Sequence, residues 1–113
     1  EDSDAYLGLM RHRDGEPFQY WIGLFVAPGI APPEGFEAVD FPASRLGVVW
    51  LKGAFGEVFG MEYQCAAQLV ALGYRIRSGE DGATWFFERY ACPRFTEPDA
   101  EGRIILDICH FLE

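Results

Sequence analysis

Residues 83–90, Ala83-Thr84-Trp85-Phe86-Phe87-Glu88-Arg89-Tyr90, set one carboxylate and one guanidinium among four aromatic side chains. Gly79, Asp81 and Gly82 precede the run and Pro93 follows it, so its length, composition and flanking breakers predict a β-strand. Alternation along a strand gives Thr84, Phe86, Glu88 and Tyr90 one face and Trp85, Phe87 and Arg89 the other. A carboxylate flanked by rings suits an organic cation, which stacks on the rings while its charge is offset. The same pattern also fits an edge strand whose Glu88 reaches solvent or pairs with a neighbouring arginine, and the residues leave both readings open.

Other chemistries find little material. Cys65, Cys92 and Cys109 form no Cys-x-x-Cys pair, and His12 and His110 lie far from them, so no metal-ligand spacing is present. Buried free thiols in a reducing cytosol are the expectation. There is no phosphate loop, no Ser-His-Asp set and no sign of a cofactor. An enzymatic reading is left with Glu88 as a general base and Tyr90 or a tryptophan orienting substrate.

With 113 residues, half of them hydrophobic, the chain has core material for a single domain spanning residues 1–113. The net charge of -9 lacks the basic footprint of a nucleic-acid binder and would mildly concentrate cations. No helix-turn-helix pattern is visible, so direct DNA contact is not expected. No stretch approaches a membrane span. The polar opening Glu1-Asp2-Ser3-Asp4 carries no secretory pattern and points to a trimmed or processed start. A cytoplasmic protein is the expectation.

These side chains need elements to hold them. Residues 5–13 read as a strand, with a turn at Asp14-Gly15. Residues 18–27 read as a second strand, apolar on both faces and so expected to be covered on both, with Gly23 admitting a close neighbour. Pro28, Gly29, Pro32, Pro33 and Gly35 form a loop; residues 36–41 predict a short strand and 45–52 a firmer one. A helix runs from Phe55 or Phe59 to Leu72 on the stripe Val58, Cys65, Leu69 and Leu72, stopped by Gly73. Glu62 falls on or beside that stripe, where a border residue reaching water is expected. Residues 102–112 read as a strand, with Ile104, Leu106, Ile108, His110 and Leu112 on one face. His110 is expected to be a satisfied, half-buried histidine, and Asp107 an exposed or hydrogen-bonded acid or a second groove acid. The sum is an α+β fold, mostly antiparallel sheet with one main helix, whose second half reads strand-helix-strand-strand.

Several segments resemble GyrI-like small-molecule-binding domains, the effector-binding modules of multidrug-sensing regulators. Phe18-Gln19-Tyr20-Trp21-Ile22-Gly23-Leu24 is similar to their aromatic strand ending in Gly, and Pro33-Glu34-Gly35-Phe36-Glu37 with Phe41-Pro42-Ala43 to the segment after it. Val48 to Phe55 resembles the Lys-Gly lead into their second helix, Phe87-Glu88-Arg89-Tyr90 their Glu-x-Tyr/Phe strand, and Ile104 to His110 their terminal strand. The resemblance implies two strand-helix-strand-strand units around a groove, and a ligand that is a lipophilic cation held by Glu88, Tyr90, Phe86, Tyr20, Trp21 and Trp50. Some relatives hydrolyse cyclopropane-bearing compounds, so such a hydrolase is an alternative, as is a protein-interaction domain without ligand. The family's first strand and helix have no counterpart before Ala5. That departure implies a homodimer covering the open sheet, or opening residues outside this sequence. Glu62 is a second departure, adding a carboxylate to the site or nothing.

Overall fold

The computed structural model describes residues 5–113 of the chain, so the Glu1–Asp4 opening lies outside the described residues. Five strands form one antiparallel sheet: β1 (Tyr6–His12), β2 (Gln19–Gly23), β3 (Arg45–Ala54), β4 (Thr84–Tyr90) and β5 (Arg103–Leu112), in the spatial order β2-β1-β4-β5-β3. A helical segment over residues 55–71, here α1, joins β3 to β4. Because β5 pairs antiparallel with both, β3 and β4 run parallel with β5 between them, and α1 is the crossover of a split βαβ unit. The expected α+β architecture, mostly sheet with one main helix, is what the chain adopts.

The sheet has two apolar faces. On one, α1 lays Val58 and Cys65 against Leu51, Ile104, Leu106 and Ile108. Gly47 gives the far end of α1 room, since a Cβ there would lie 2.8 Å from a Leu69 methyl. On the other, Leu7, Leu9, Phe87, Cys109 and Phe111 are covered by Phe41, which stacks on Phe111, and by Phe25, edge-on to Phe87. The loop after β2 thus does on one face what α1 does on the other. Alternation along β4 and β5 follows the predicted faces. The helix ends as its sequence dictates: Gly73 takes φ +95° while Tyr74 N–H donates to the Leu69 carbonyl.

Four expectations are corrected. The strand predicted over 18–27 contracts to Gln19–Gly23 and is an edge strand, not one covered on both sides; Ile22 is 83% exposed. Its apolar run imitates a central strand, but α1 sits over β5 and does not reach it. Residues 36–41 form no strand, because the loop is spent delivering Phe41 to the core. Gly23 has no neighbour that a Cβ would touch, so its small size serves no contact. Cys65 and Cys109 are buried thiols outside any disulfide, but Cys92 is exposed.

Candidate functional site

Glu88 is not the acid of an edge strand. β4 is the central strand, and Glu88 is 4% exposed on the face that α1 overlies. Tyr20 Oη donates to its Oε1 at 2.5 Å and Tyr90 Oη to the same oxygen at 2.6 Å. The two hydroxyl oxygens lie 2.9 Å apart. Each phenol has one proton, and both protons are given to the carboxylate, so the short Tyr–Tyr approach follows from sharing one acceptor. Burial and then donation to Glu88 push both phenols above their ordinary range.

Tyr20 belongs to β2 and Glu88 to β4, with β1 between them. Contact across an intervening strand needs a hole in it, and Gly8 provides one. Gly8 pairs with Glu88 on one side and Ile22 on the other. A Cβ on Gly8 would stand 2.7 Å from both Tyr20 Cζ and Glu88 Oε1, and closer still to Tyr20 Oη. The phenol therefore lies over bare backbone. The close-approach glycine is Gly8 rather than Gly23, a distinction that depends on strand order.

From above, α1 supplies Glu62. The middle of α1 is not α-helical: residues Phe59–Gln64 wind as a 3₁₀ helix between α-helical Phe55–Val58 and Cys65–Ala71. At three residues per turn, positions i and i+3 eclipse, which brings Glu62 into line with Phe59. Gly56 and Gly60 weaken the regular helix here. Glu62 hydrogen-bonds Glu88, and its carboxyl is pushed up to about 9 by burial first and then by that bond and the Glu88 charge. Two carboxylates bond to each other only by sharing a proton. Since Glu88 already accepts from two phenols, the proton resides on Glu62. Glu62 is thus a half-buried partner of Glu88 and not a border residue reaching water.

Beside this pair runs an open groove of about 540 Å³. Met10, His12, Thr84, Phe86 and His110 line it from the sheet, Phe59, Glu62, Tyr63 and Ala66 from α1, and Ile76 from the segment between α1 and β4. Its size lies in the range of small-molecule sites. His110 is 5% exposed and stacks on Phe86, ring centroids 5.0 Å apart, yet its Nδ1 has no hydrogen-bond partner among the described residues. The satisfied histidine expected here is instead an orphaned one, and burial holds its pKa below the ordinary imidazole value.

Of the six residues expected in the site, Glu88, Tyr90, Tyr20 and Phe86 share one face. Phe86 lines the groove, while Glu88 stands behind Glu62, backed by the two phenols. Trp21 and Trp50 do not join them. Trp21 pairs with Leu9 in register and packs edge-on against Trp85 on the opposite face. Trp50 sits on that face too, under the Arg94 guanidinium at 5.0 Å. Asp107 is likewise no groove acid: it is fully buried on that face, accepting from Arg89 Nε at 2.9 Å and Arg94 Nε at 2.8 Å. Each placement follows from period-two alternation once the register is known. Glu62, Gly8 and His110 take places around Glu88 and the groove that the sequence did not settle. Only Glu62 left a signal there, as an acid on an apolar stripe.

Among the described residues there is no cluster of histidine, cysteine or carboxylate side chains suited to a metal, and no helix long and apolar enough to cross a membrane. Set against protein-family models, curated proteins and solved structures, the chain matches none.

Proposed function

We propose that the groove binds a small amphipathic organic cation, as the motif resemblance to GyrI-like domains also implies. The observation that carries this reading is a charge imbalance. Glu62 and Glu88 face each other beside an aromatic groove, and among the described residues neither has an ion-pair partner. Buried carboxylates are ordinarily paired with cations, as Asp107 is on the other face. Here the cation is left for a ligand to bring. Phe59, Tyr63 and Phe86 offer ring faces and Met10 a polarizable thioether, which suit an aryl or alkyl ammonium. The net charge of -9 favours its approach.

The hydrolase reading gains no such support. Glu88 Oε1 is engaged by two phenol donors, and Glu88 is not among the residues that line the groove. A homodimer belongs to the same proposal. β2 is an unpaired edge carrying no charge from Phe18 to Ala27, and Phe18, Tyr20, Ile22, Leu24 and Val26 are all exposed. A second copy pairing antiparallel along β2 would satisfy its backbone and cover that row. Sedimentation equilibrium is expected to give twice 12.7 kDa; a monomer at micromolar concentration would refute the dimer.

Thermal unfolding with N-methyl-naphthylmethylammonium, a neutral naphthalene of equal size and a naphthyl carboxylate tests the binding reading. A ligand of the folded state raises the melting temperature by mass action. The cation alone is expected to do so, with the shift lost when Glu62→Gln and Glu88→Gln are combined and no carboxylate is left beside the groove. Equal shifts from the neutral compound, or none from any, would overturn the reading.

A further inference from the structure

Two carboxyl groups that share one proton beside an apolar groove do more than present negative charge. In the free protein Glu62 is a neutral acid donating to Glu88, and Glu88 is the acceptor of three donors: Glu62, Tyr20 and Tyr90. A cation reaching the groove meets Glu62 first, because Glu62 lines it and Glu88 does not. To form an ion pair there, Glu62 must give up its proton. Close by, His110 presents a buried nitrogen with no partner. Burial keeps the imidazole neutral near pH 7, so an unprotonated ring nitrogen is available to accept. An orphaned buried acceptor is costly in a native fold, and a donor on the ligand would relieve it.

We propose that the groove exchanges the Glu62 proton for an N–H-bearing organic ammonium, one N–H pairing with the Glu62 carboxylate and another donating to His110. The inference rests on the cation-binding reading above. The exchange balances simply: the Glu62 O–H bond breaks, its proton passes to solvent, and the ammonium enters with all its bonds intact. Net charge in the groove is unchanged, which makes the swap tolerable in a low-dielectric site.

The groups facing Glu62 set the background. Glu88 faces it from β4, with Tyr90 bonded to Glu88 behind, and Tyr20 from β2, while Tyr63 and Cys65 are its neighbours on α1. His12 from β1 and His110 from β5 share the groove. Burial and then the Glu62 charge push the Cys65 thiol up to about 11, and both phenols are raised as well. None of these three releases a proton between pH 6 and 8. His12 is controlled by a His12→Gln variant.

Calorimetric titration in two buffers of different ionisation enthalpy counts protons directly. With N-methyl-naphthylmethylammonium at pH 7, wild type and His12→Gln are expected to release close to one proton per ligand. Glu62→Gln is expected to release none. Wild-type affinity rises up to about tenfold per pH unit from pH 6 to 8, because deprotonating Glu62 becomes cheaper as pH approaches its pKa. The trimethylammonium analogue, with no N–H, is expected to bind at least tenfold more weakly, and His110→Phe to narrow that gap. Isotope-edited infrared spectra of ligand-free protein supply a second readout: a carboxylic-acid band at pH 7 that Glu62→Gln removes. Binding without proton release, a trimethyl analogue that binds as tightly, or absence of the acid band would each overturn the exchange while leaving cation binding intact. Absence of binding by any cation would overturn both.

Discussion

Replacing Gly8 by alanine tests the geometry on which the site depends. The added methyl would lie 2.7 Å from Tyr20 Cζ and from Glu88 Oε1, where ordinary contacts need well over 3 Å. Nearest of all is Tyr20 Oη, on an edge-strand side chain that is 48% exposed, so Tyr20 swings out to solvent. Its hydrogen bond to a buried carboxylate is then lost, at a cost of about 1.5–3 kcal/mol. Against this, alanine is favoured over glycine within a strand by about 0.5–1 kcal/mol. The net expectation is destabilisation by about 1–2 kcal/mol. Urea unfolding at pH 7 measures it, with an unchanged m-value showing that the transition is the same. A double-mutant cycle with Tyr20→Ala isolates the cause. Without the phenol, the cost of Gly8→Ala should fall below about 0.5 kcal/mol, since Glu88 can tilt away from the methyl once one of its donors is gone. A Gly8→Ala that is neutral in wild type, or that costs the same without Tyr20, would refute the argument that Gly8 exists to let Tyr20 cross β1.

Stability should fall as pH rises from 7 to 8.5. Folded Glu62 keeps its proton up to about 9, whereas the unfolded side chain loses it near 4.5, so between those values the folded state binds the extra proton. The sign is negative, with a limit of about 1.4 kcal/mol per pH unit. Glu62 is partly exposed, and water screening should hold the fall to about 1 kcal/mol across the window. The lowered Glu16, Asp81 and Asp99 act only below this range, His110 acts below 6.5, and Cys65 acts above 9. Glu62→Gln should flatten the profile, and an unchanged slope in that variant would refute the assignment. Asp107→Asn leaves two guanidinium groups facing a neutral amide on the far side of the sheet and should cost about 3–5 kcal/mol in urea unfolding. Gly47→Ala drives a methyl to 2.8 Å from a Leu69 methyl and should cost about 1–3 kcal/mol, again by urea unfolding, without altering cation affinity.

The chain's local pattern determined a good deal by itself. Period-two alternation placed Phe86, Glu88 and Tyr90 on one face of β4, and Ile104 through Leu112 on one face of β5, because a strand has no other way to orient its side chains. The helical stripe and Gly73 placed α1 to within a residue or two. What the pattern could not supply was adjacency. Whether 18–27 was central or edge depended on how far α1 reaches. Whether Trp21, Trp50 and Asp107 met Glu88 depended on register, and register turned them to the opposite face. Glu62, 26 positions before Glu88 in the chain, became its hydrogen-bond partner only when the split βαβ crossover laid α1 over β5 and a 3₁₀ turn aligned it with the groove. Gly8 acquired its role only with Tyr20 on one side and Glu88 on the other. Residue type and spacing act over a few positions along the chain. Desolvation and proton sharing act over a few ångströms in space, and only the folded sheet makes those distances short.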